Sequence, residues 1–523
     1  MKTRKEINEK VINIDNEINN HIEKIGFFDS DFVELFKKWQ TKENKYLDLD
    51  ISKVKFEVKR ILSDNPEEVI CKKRMGFTPK RVKNGDINWF TIKDLTNIKD
   101  LCINEPDTIE KTTMDLIKQK VDKNNTGKSE KLIPIKKGDI LVSFKLTVGI
   151  VKIYNSNKIA YCNEAIDILT VKKGIYNKYV AYNCMIEYPK YSRNTNNGQT
   201  LNDEEKKKIK IYIPKPIKTE KKEYSSYDVQ KIIIEFLEYQ LNISKQYREQ
   251  LQNIEKDIEE FEKGLLPAIF SKNNDYIKQM FIKWNTNPSV PRKKEEMVDF
   301  TLDDVEFEEK SLFNIIELKN GTEFPKGYVK KKENQGNIPL ISAGVKNDIM
   351  GYIKSLLGNK SDEPDKHYVF NSTKNKWNEI ILYKGKDYYT LTADGIGGEL
   401  ILRKKEDYSN GFYTTNVCKV VIFKDKNIYD KYFYYAYQID KQKVKFDFLI
   451  KANNKNLSKI KIKIPKPIKT KTKEYSFYNV QKAIVTFIDR FYEWQEQVKL
   501  KIEKLNKLLD KIDEAILYKA FKD

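Results

Sequence analysis

Histidine is almost missing from this chain: His21 and His367 are the only two in 523 residues. A His–Asp or Cys–His arrangement for nucleophilic catalysis therefore has little to draw on, and both imidazoles are expected at the surface. Cysteine is sparse as well, with Cys71, Cys102, Cys162, Cys184 and Cys418 scattered and no CxxC pair among them. Zinc needs four N or S ligands at short spacings, so no metal site is expected, and an odd set of thiols suits a reducing cytoplasm. No run approaches ~18 apolar residues, so no membrane span is expected. The opening MKTRKEINEKVINIDNEINN is charged throughout, unlike a signal peptide.

The usual catalytic signatures are missing too. TGKSE (Thr126 to Glu130) contains a GKS, but a phosphate-cradling loop would need glycine where Asp122 stands. ADGIGGEL (Ala393 to Leu400) departs from GxGxxG spacing and reads as a turn. Neither Asn65-Pro66 nor Asn287-Pro288 continues into the Asn-Pro-Pro-aromatic grip of an amino-methyltransferase. An acidic-then-Glu-x-Lys nuclease pattern can be traced from Asp107 to Glu130-Lys131, but so many lysines make it nearly uninformative. What remains is a binding protein.

Positive charge is abundant. Lys and Arg number 98 against 77 Asp and Glu, a formal net charge of +21, which suggests a polyanionic partner, most simply nucleic acid. A Lys/Ile/Asn-rich composition also follows from an AT-rich genome, so charge alone does not decide. Aromatic residues at 12% argue for folded cores.

The organising feature is a repeat. KIKIYIPKPIKTEKKEYSSYDVQK (Lys208 to Lys231) returns as KIKIKIPKPIKTKTKEYSFYNVQK (Lys459 to Lys482), and over 208–236 and 459–487 21 of 29 residues are identical. The apolar register continues: Leu251, Ile254, Ile258, Phe261 and Leu265 match Ile502, Leu505, Leu509, Ile512 and Ile516. This 3-4-3-4 spacing predicts a helix-pairing seam. Upstream, FKKWQT (Phe36 to Thr41) resembles FIKWNT (Phe281 to Thr286), and VKFE (Val54 to Glu57) resembles VEFE (Val305 to Glu308).

Six regions follow: an N-terminal helical extension at 1–65, an insert at 66–213, a spacer helix at 214–272, a linker repeating the N-terminal segment at 273–308, a second insert at 309–464, and a C-terminal spacer helix at 465–523. The inserts carry strand-like runs, GDILVSF, GIVKIYN and AIDILTV in the first, YYTLTA, ELILRK and VCKVVIF in the second. Each ends in an extended strand whose prolines stop further pairing. Ser225 and Ser476 then cap long helices, the first expected to end near Gly264 and Pro267. The fold class is α+β: two mixed α/β recognition domains joined by two long antiparallel coiled-coil helices in a pseudo-two-fold repeat.

Base reading needs cations for phosphates and amide or guanidinium groups for base edges. The first insert offers Lys80, Arg81, Lys83, Asn88 and Trp89 in TPKRVKNGDINWF, and Arg193, Asn194, Asn196, Asn197 and Gln199 in YSRNTNNGQTLN. The second offers Lys326, Tyr328, Lys330, Lys331 and Lys332, then Lys374, Asn375 and Lys376, then Lys451, Asn453, Asn454 and Lys455. The Asn-rich loops occupy the same place in both halves with different letters, as two readers of different sequences would.

This architecture resembles the specificity subunit of type I restriction–modification systems. TPKRVKNGDINWFTIKDL is similar to the family's entry into a recognition domain, with Phe77 in place of a glycine and Asn88 in place of a proline. GDILVSFKLTVGIVKI and IPLISAGVKNDIMGYI are similar to its Gly-Asp-Ile-Leu strand and following turn, adding Lys145, Thr147, Lys346 and Asn347 to the candidate DNA contacts. IPKPI…VQKIIIEFL stands where the family carries Ile-Pro-Leu-Pro-Pro and a Gln-Lys-Ile helix. Pro-Lys-Pro and the inserted KTEKKEYSSYD depart from that pattern and leave open a related type II or methyltransferase-associated system.

The resemblance implies a non-catalytic DNA-recognition subunit acting in phage defence. Each domain would read half of a bipartite double-stranded target, and the helices would set the spacing and dock two methyltransferase subunits. Restriction/translocase subunits would join. S-adenosylmethionine and ATP with Mg would belong to those partners, this chain holding no cofactor. Two other classes fit the residues: a nuclease with a cryptic acidic site, and a coiled-coil scaffold that binds nucleic acid without sequence preference.

Overall fold

The structure is a computed structural model that describes residues 3–25, 31–82, 84–123, 133–196, 198–286, 297–343, 348–371, 374–393, 397–446 and 450–521. The chain divides into two compact units. The first comprises Glu9–Asn253 with Lys501–Asp523, the second Ile254–Leu500 with Met1–Asn8. Each of two long helices, Ser226–Ser271 and Phe477–Phe521, contributes residues to both.

In the first unit the β-branched runs form a five-stranded sheet in the order Cys71–Met75, Ile166–Val171, Ile140–Ser143, Val151–Tyr154, Cys102–Ile103. Ile140–Ser143 and Val151–Tyr154 are buried at every position, as expected of short apolar runs without alternation. Leu141, Tyr154, Ile166 and Ile168 pack with Phe90, Leu95 and Ile103 into the main core. In the second unit a four-stranded sheet runs Ile316–Asn320, Cys418–Phe423, Tyr388–Thr392, Leu400–Arg403, beside a three-stranded sheet of Ile349–Ile353, Gln335–Ile341 and Tyr413–Thr414.

Both inserts are closed at their base in the same way. Phe56–Arg60 pairs antiparallel with Lys210–Pro214, Phe56 opposite Pro214, and Phe307–Ser311 pairs with Lys461–Pro465, Phe307 opposite Pro465. The sequence predicts an extended passage from there to the helix; the structure folds it back. Ile217–Lys218 pairs with Glu223–Tyr224, and Ile468–Lys469 with Glu474–Tyr475, so each copy makes a small hairpin. One aspartate clamps each. Asp48 accepts from the Tyr224 hydroxyl at 2.8 Å and Thr219 at 2.7 Å. Asp299 accepts from Tyr475 at 2.7 Å, Thr470 at 2.8 Å and Thr472.

Ser225 caps the central helix by accepting from Asp228 N at 3.1 Å, while the Asp228 carboxylate accepts from Ser225 N at 3.0 Å. Ser476 accepts from Asn479 N at 3.3 Å. Gly264 and Pro267 do not end the central helix, which runs through both to Ser271 and spans about 70 Å. Proline removes a single N–H, and burial of Leu265, Ile269 and Phe270 holds the last turns in place. Lys272 stops the helix in a left-handed conformation with φ 56°. The ten seam positions are each no more than 5% exposed. In the second unit Phe261 meets Phe491 at 4.9 Å and Gln495 donates to Glu262 at 2.6 Å; in the first, Arg248 pairs with Asp510 at 2.9 Å and Asp513 at 2.8 Å.

The FKKWQT and FIKWNT segments also fill equivalent places. Phe36 and Trp39 pack on Phe236 at 5.4 and 5.5 Å in the first unit; Phe281 and Trp284 pack on Phe487 at 5.2 and 5.1 Å in the second.

The two cores differ at one buried pair. Lys206 Nζ lies 2.6 Å from Asp167, their side chains 1% and 0% exposed, whereas 251 residues later Cys418 and Leu457 are both buried. Burial pushes the Asp167 carboxyl up and the Lys206 amine down, each towards its neutral form. Losing one partner strands the other's charge, so Lys206→Leu is expected to cost about 3–5 kcal/mol. Asp167→Cys with Lys206→Leu, the second unit's solution, should recover most of that loss in denaturant unfolding. An equally unstable double variant would contradict this.

The hydroxyls of Thr472, Tyr475 and Thr470 hold the Asp299 carboxyl down to about 2. Its stabilising contribution is complete above the ordinary carboxylate value near 4 and is lost as pH falls through about 2. The melting-temperature gap between the native chain and Asp299→Asn should therefore be flat above pH ~4 and close towards pH ~2.

Candidate nucleic-acid interface

In the first unit a small sheet joins two stretches that lie far apart in sequence. Arg193–Thr195 pairs with Gly198–Thr200, which pairs in turn with Lys145–Leu146, Gln199 opposite Leu146. Gly198 sits at φ +100°, and a Cβ there would fall 2.9 Å from the Leu146 carbonyl oxygen, so the junction requires glycine. Lys145, Thr147, Arg193, Asn194 and Asn196 are all exposed on this sheet and its turns. Gln199 is half-buried, its Oε1 accepting from Val148 N at 3.3 Å. Asn197 lies outside the described residues.

The Arg193 guanidinium is held by Glu205, which also receives Lys208 at 2.9 Å. Hydrogen bonds from Lys208 and Arg193 keep the Glu205 carboxyl below its ordinary value. Reading the loop in isolation misses this tether. The (i,i+3) Glu205–Lys208 spacing was its only sequence signal.

The TPKRV stretch divides. Lys80 is exposed, and Arg81 stacks 5.4 Å over the Trp89 ring and reaches Glu110 at 3.3 Å. Lys83 lies outside the described residues. Asn88 and Trp89 are not available to bases, being 8% and 1% exposed. Their strand, Ile87–Phe90, is the middle one of a three-stranded sheet, between Lys111–Thr112 and Ala160–Cys162. Asn88 donates to the Pro106 carbonyl at 2.6 Å and accepts from Lys111 and Thr108. Trp89 donates to the Phe77 carbonyl at 3.0 Å and packs with Phe77, Ile87, Ile117 and Tyr161. Both are structural residues.

In the second unit Lys326, Lys330, Lys331 and Lys332 are exposed on short turns, while Tyr328 packs half-buried on the core of Ile338, Ile353 and Tyr413. Lys374, Asn375 and Lys376 are exposed at the tip of a two-stranded ribbon, His367–Asn371 with Lys376–Ile380, Asn375 turning at φ 46°. An ion pair between Lys374 and Glu323, and a bond from Thr322 Oγ1 to the Glu379 carbonyl at 3.0 Å, set these two basic segments side by side. Lys346 and Asn347 lie outside the described residues.

Lys451, Asn453, Asn454 and Lys455 are exposed. Asn453, however, is a helix cap, accepting from Asn456 N at 3.0 Å, as Asn202 accepts from Glu205 N at 2.9 Å 251 residues earlier. The repeat spacing itself carried that signal. Asn454 Oδ1 accepts from Lys419 at 3.3 Å.

The groups brought together are cations and amides suited to phosphates and base edges. Among the described residues no group of three His, Cys, Asp or Glu side chains could hold a metal ion. Neither histidine lies freely on the surface: both are half-buried, and His367 Nδ1 shares a 2.8 Å hydrogen bond with the Tyr413 hydroxyl. TGKSE and Glu130-Lys131 lie outside the described residues. Among those described, no helix is long and apolar enough to cross a membrane.

Comparison with known proteins places these features in a family. The family model described as the type I restriction modification DNA specificity domain matches residues 68–256 and again 304–507. Among solved structures, the type I restriction–modification S subunit from M. genitalium is 14% identical, covering 91% of this chain and 99% of that one at a TM-score of 0.31. The HsdS subunit from Thermoanaerobacter tengcongensis is 12% identical over 74% of this chain and 82% of that one, TM-score 0.34. A chain from work on complex assembly and conformational transition of the type I R-M system is 12% identical over 88% and 99%, TM-score 0.45. No curated protein sequence matches. Because the two matched stretches together span well over half of its residues, the chain belongs to the family of type I restriction modification DNA specificity domains.

Proposed function

We propose that the chain is the DNA sequence-specificity subunit of a type I restriction–modification complex, a recognition component that carries no catalysis of its own. The observation that carries this reading is a frame repeated at 251 residues around inserts whose exposed polar side chains differ. The inserts at 66–213 and 309–464 each read one half of a bipartite duplex target. The segments at 1–65 and 273–308 support the spacer helices at 214–272 and 465–523.

Those helices form an antiparallel coiled coil about a pseudo-two-fold axis and fix the spacing between half-sites. Its supports are the buried seam and the first unit's pairs, where Ser244 reaches Asp513 while Arg248 reaches Asp510. Residue numbers rise on one helix as they fall on the other.

Two methyltransferase subunits dock on the repeated entry to the helices. Over 208–236 and 459–487, nine of the twelve positions exposed in both copies are identical, although exposed positions carry no packing constraint. Beyond them only four of the next 34 positions agree. A surface kept the same twice supports one kind of partner met twice. S-adenosylmethionine, ATP and Mg belong to the methyltransferase and translocase subunits, and the assembly works in the cytoplasm in phage defence.

The test is the methylated sequence. Coexpressed with an adenine methyltransferase partner, the chain should direct methylation to a bipartite motif, and exchanging residues 309–464 for another such insert should change one half only. Arg193→Ala should relax one position of the other half at a cost of about 1–3 kcal/mol in binding. Methylation or cleavage by the chain alone would overturn the proposal, and equal affinity for random duplexes would replace it with a non-specific scaffold.

A further inference from the structure

The ribbon His367–Asn371 with Lys376–Ile380 carries apolar side chains on both faces; one is covered, and on the other Tyr368 is buried while the end nearer the tip is only partly covered. Val369 and Ile380, 1% and 5% exposed, belong to the core. On the other face Phe370 stands directly opposite Trp377, the rings 5.2 Å apart and the residues 39% and 41% exposed. About two-fifths of this aromatic pair's surface stays in water, apolar area that folding leaves uncovered and a partner can still bury.

Its surroundings are cationic. Lys374, Asn375 and Lys376 form the tip, and the turns carrying Lys330 to Lys332 pack on the same core. Of the nearby carboxylates, Glu323 is taken by Lys374, Glu363 accepts from the Tyr368 hydroxyl and pairs with Lys360 at 2.6 Å and Lys366 at 3.0 Å, and Glu379 stands 3.8 Å from Lys366. A duplex fits both properties. Its major groove admits a two-stranded ribbon, its walls are phosphate, and its one apolar feature is the thymine C5-methyl group.

We propose that this ribbon enters the major groove with Phe370 and Trp377 against thymine methyl groups, making the pair a specificity determinant of the second insert. The assignment rests on the DNA-reading function proposed above.

The test uses the full chain and the consensus duplex it selects from a random pool. Thymines are then replaced one at a time by deoxyuridine, which removes only the methyl. At least one replacement, confined to one half-site, should weaken the native chain about four-fold, the worth of one buried methyl group. Phe370→Ser with Trp377→Ser should be indifferent to that replacement yet respond normally to changes in the other half-site. A consensus with no deoxyuridine-sensitive thymine overturns the inference while leaving the DNA-reading function intact. So does a double variant that keeps the full response, or one that loses only a methyltransferase partner, which would assign the face to protein contact. Failure to select any consensus overturns the DNA-reading function itself. The native arm needs no variant, so misfolding of the double substitution cannot rescue the inference.

Discussion

The apolar stripe along two helices of 46 and 45 residues has to be covered, and much of the structure is arranged around that need. An isolated helix gains little from backbone hydrogen bonding in water, so helices this long persist only where tertiary contacts bury one face. In the first unit Leu251, Ile502, Leu505, Leu509, Ile512 and Ile516 are buried, and Val11, Ile14 and Ile18 of the N-terminal helix Arg4–Ile25 are buried with them. In the second, Ile254, Ile258, Phe261 and Leu265 are covered, and the edge-to-face contacts of Phe261 with Phe491 and Trp494 add aromatic packing.

A stripe fixes which face is covered but not where a globular insert attaches. Polar locks do that. In the first unit the Tyr176 N–H donates to Gln230 at 2.9 Å and Tyr179 donates to the Tyr212 carbonyl at 2.6 Å. In the second, the Tyr429 N–H donates to Gln481 at 2.9 Å and Tyr432 donates to the Lys463 carbonyl at 2.7 Å. Tyr179 also packs on Phe521, and Tyr432 on Phe270, so each insert touches the last turn of a long helix as well as the first turns of one. Gln230 and Gln481 are fully buried, where an unmet hydrogen bond is costly, and that cost makes each junction specific.

The parts legible in the sequence were those written in local pattern. Strands such as Ile140–Ser143 and Cys418–Phe423 appear where β-branched runs lie between turns, and Ser225 and Ser476 cap their helices because side-chain oxygen chemistry is local. The parts that were not legible depend on distant partners. The hairpin in IPKPIKTEKKEYS needs Asp48, some 170 residues away, to hold Thr219 and Tyr224. Pro267 is tolerated in a helix because its neighbours are buried. Asn88 and Trp89 look like a polar loop and an exposed ring until a strand on each side encloses them. The joining of Lys145 to the Arg193 hairpin follows from sheet pairing, which loop composition does not encode.

Different constraints act on different layers of each insert. The main sheet must fill its core, and the two units do so differently: an ion pair of Asp167 and Lys206 in one, Cys418 and Leu457 in the other. The exposed polar groups sit outside that layer, on the three-stranded sheet around Gln199 in the first unit and on the ribbon and short turns in the second. Side chains at such edges contribute little to core packing, so they can change with small cost to the sheet beneath. The closing strands, the clamped hairpin and the capped helix entry are shared between the halves down to single hydrogen bonds. On the proposed reading, two different readers built on one repeated frame need this separation, because coupling between an exposed side chain and the frame would disturb the frame whenever that side chain changed.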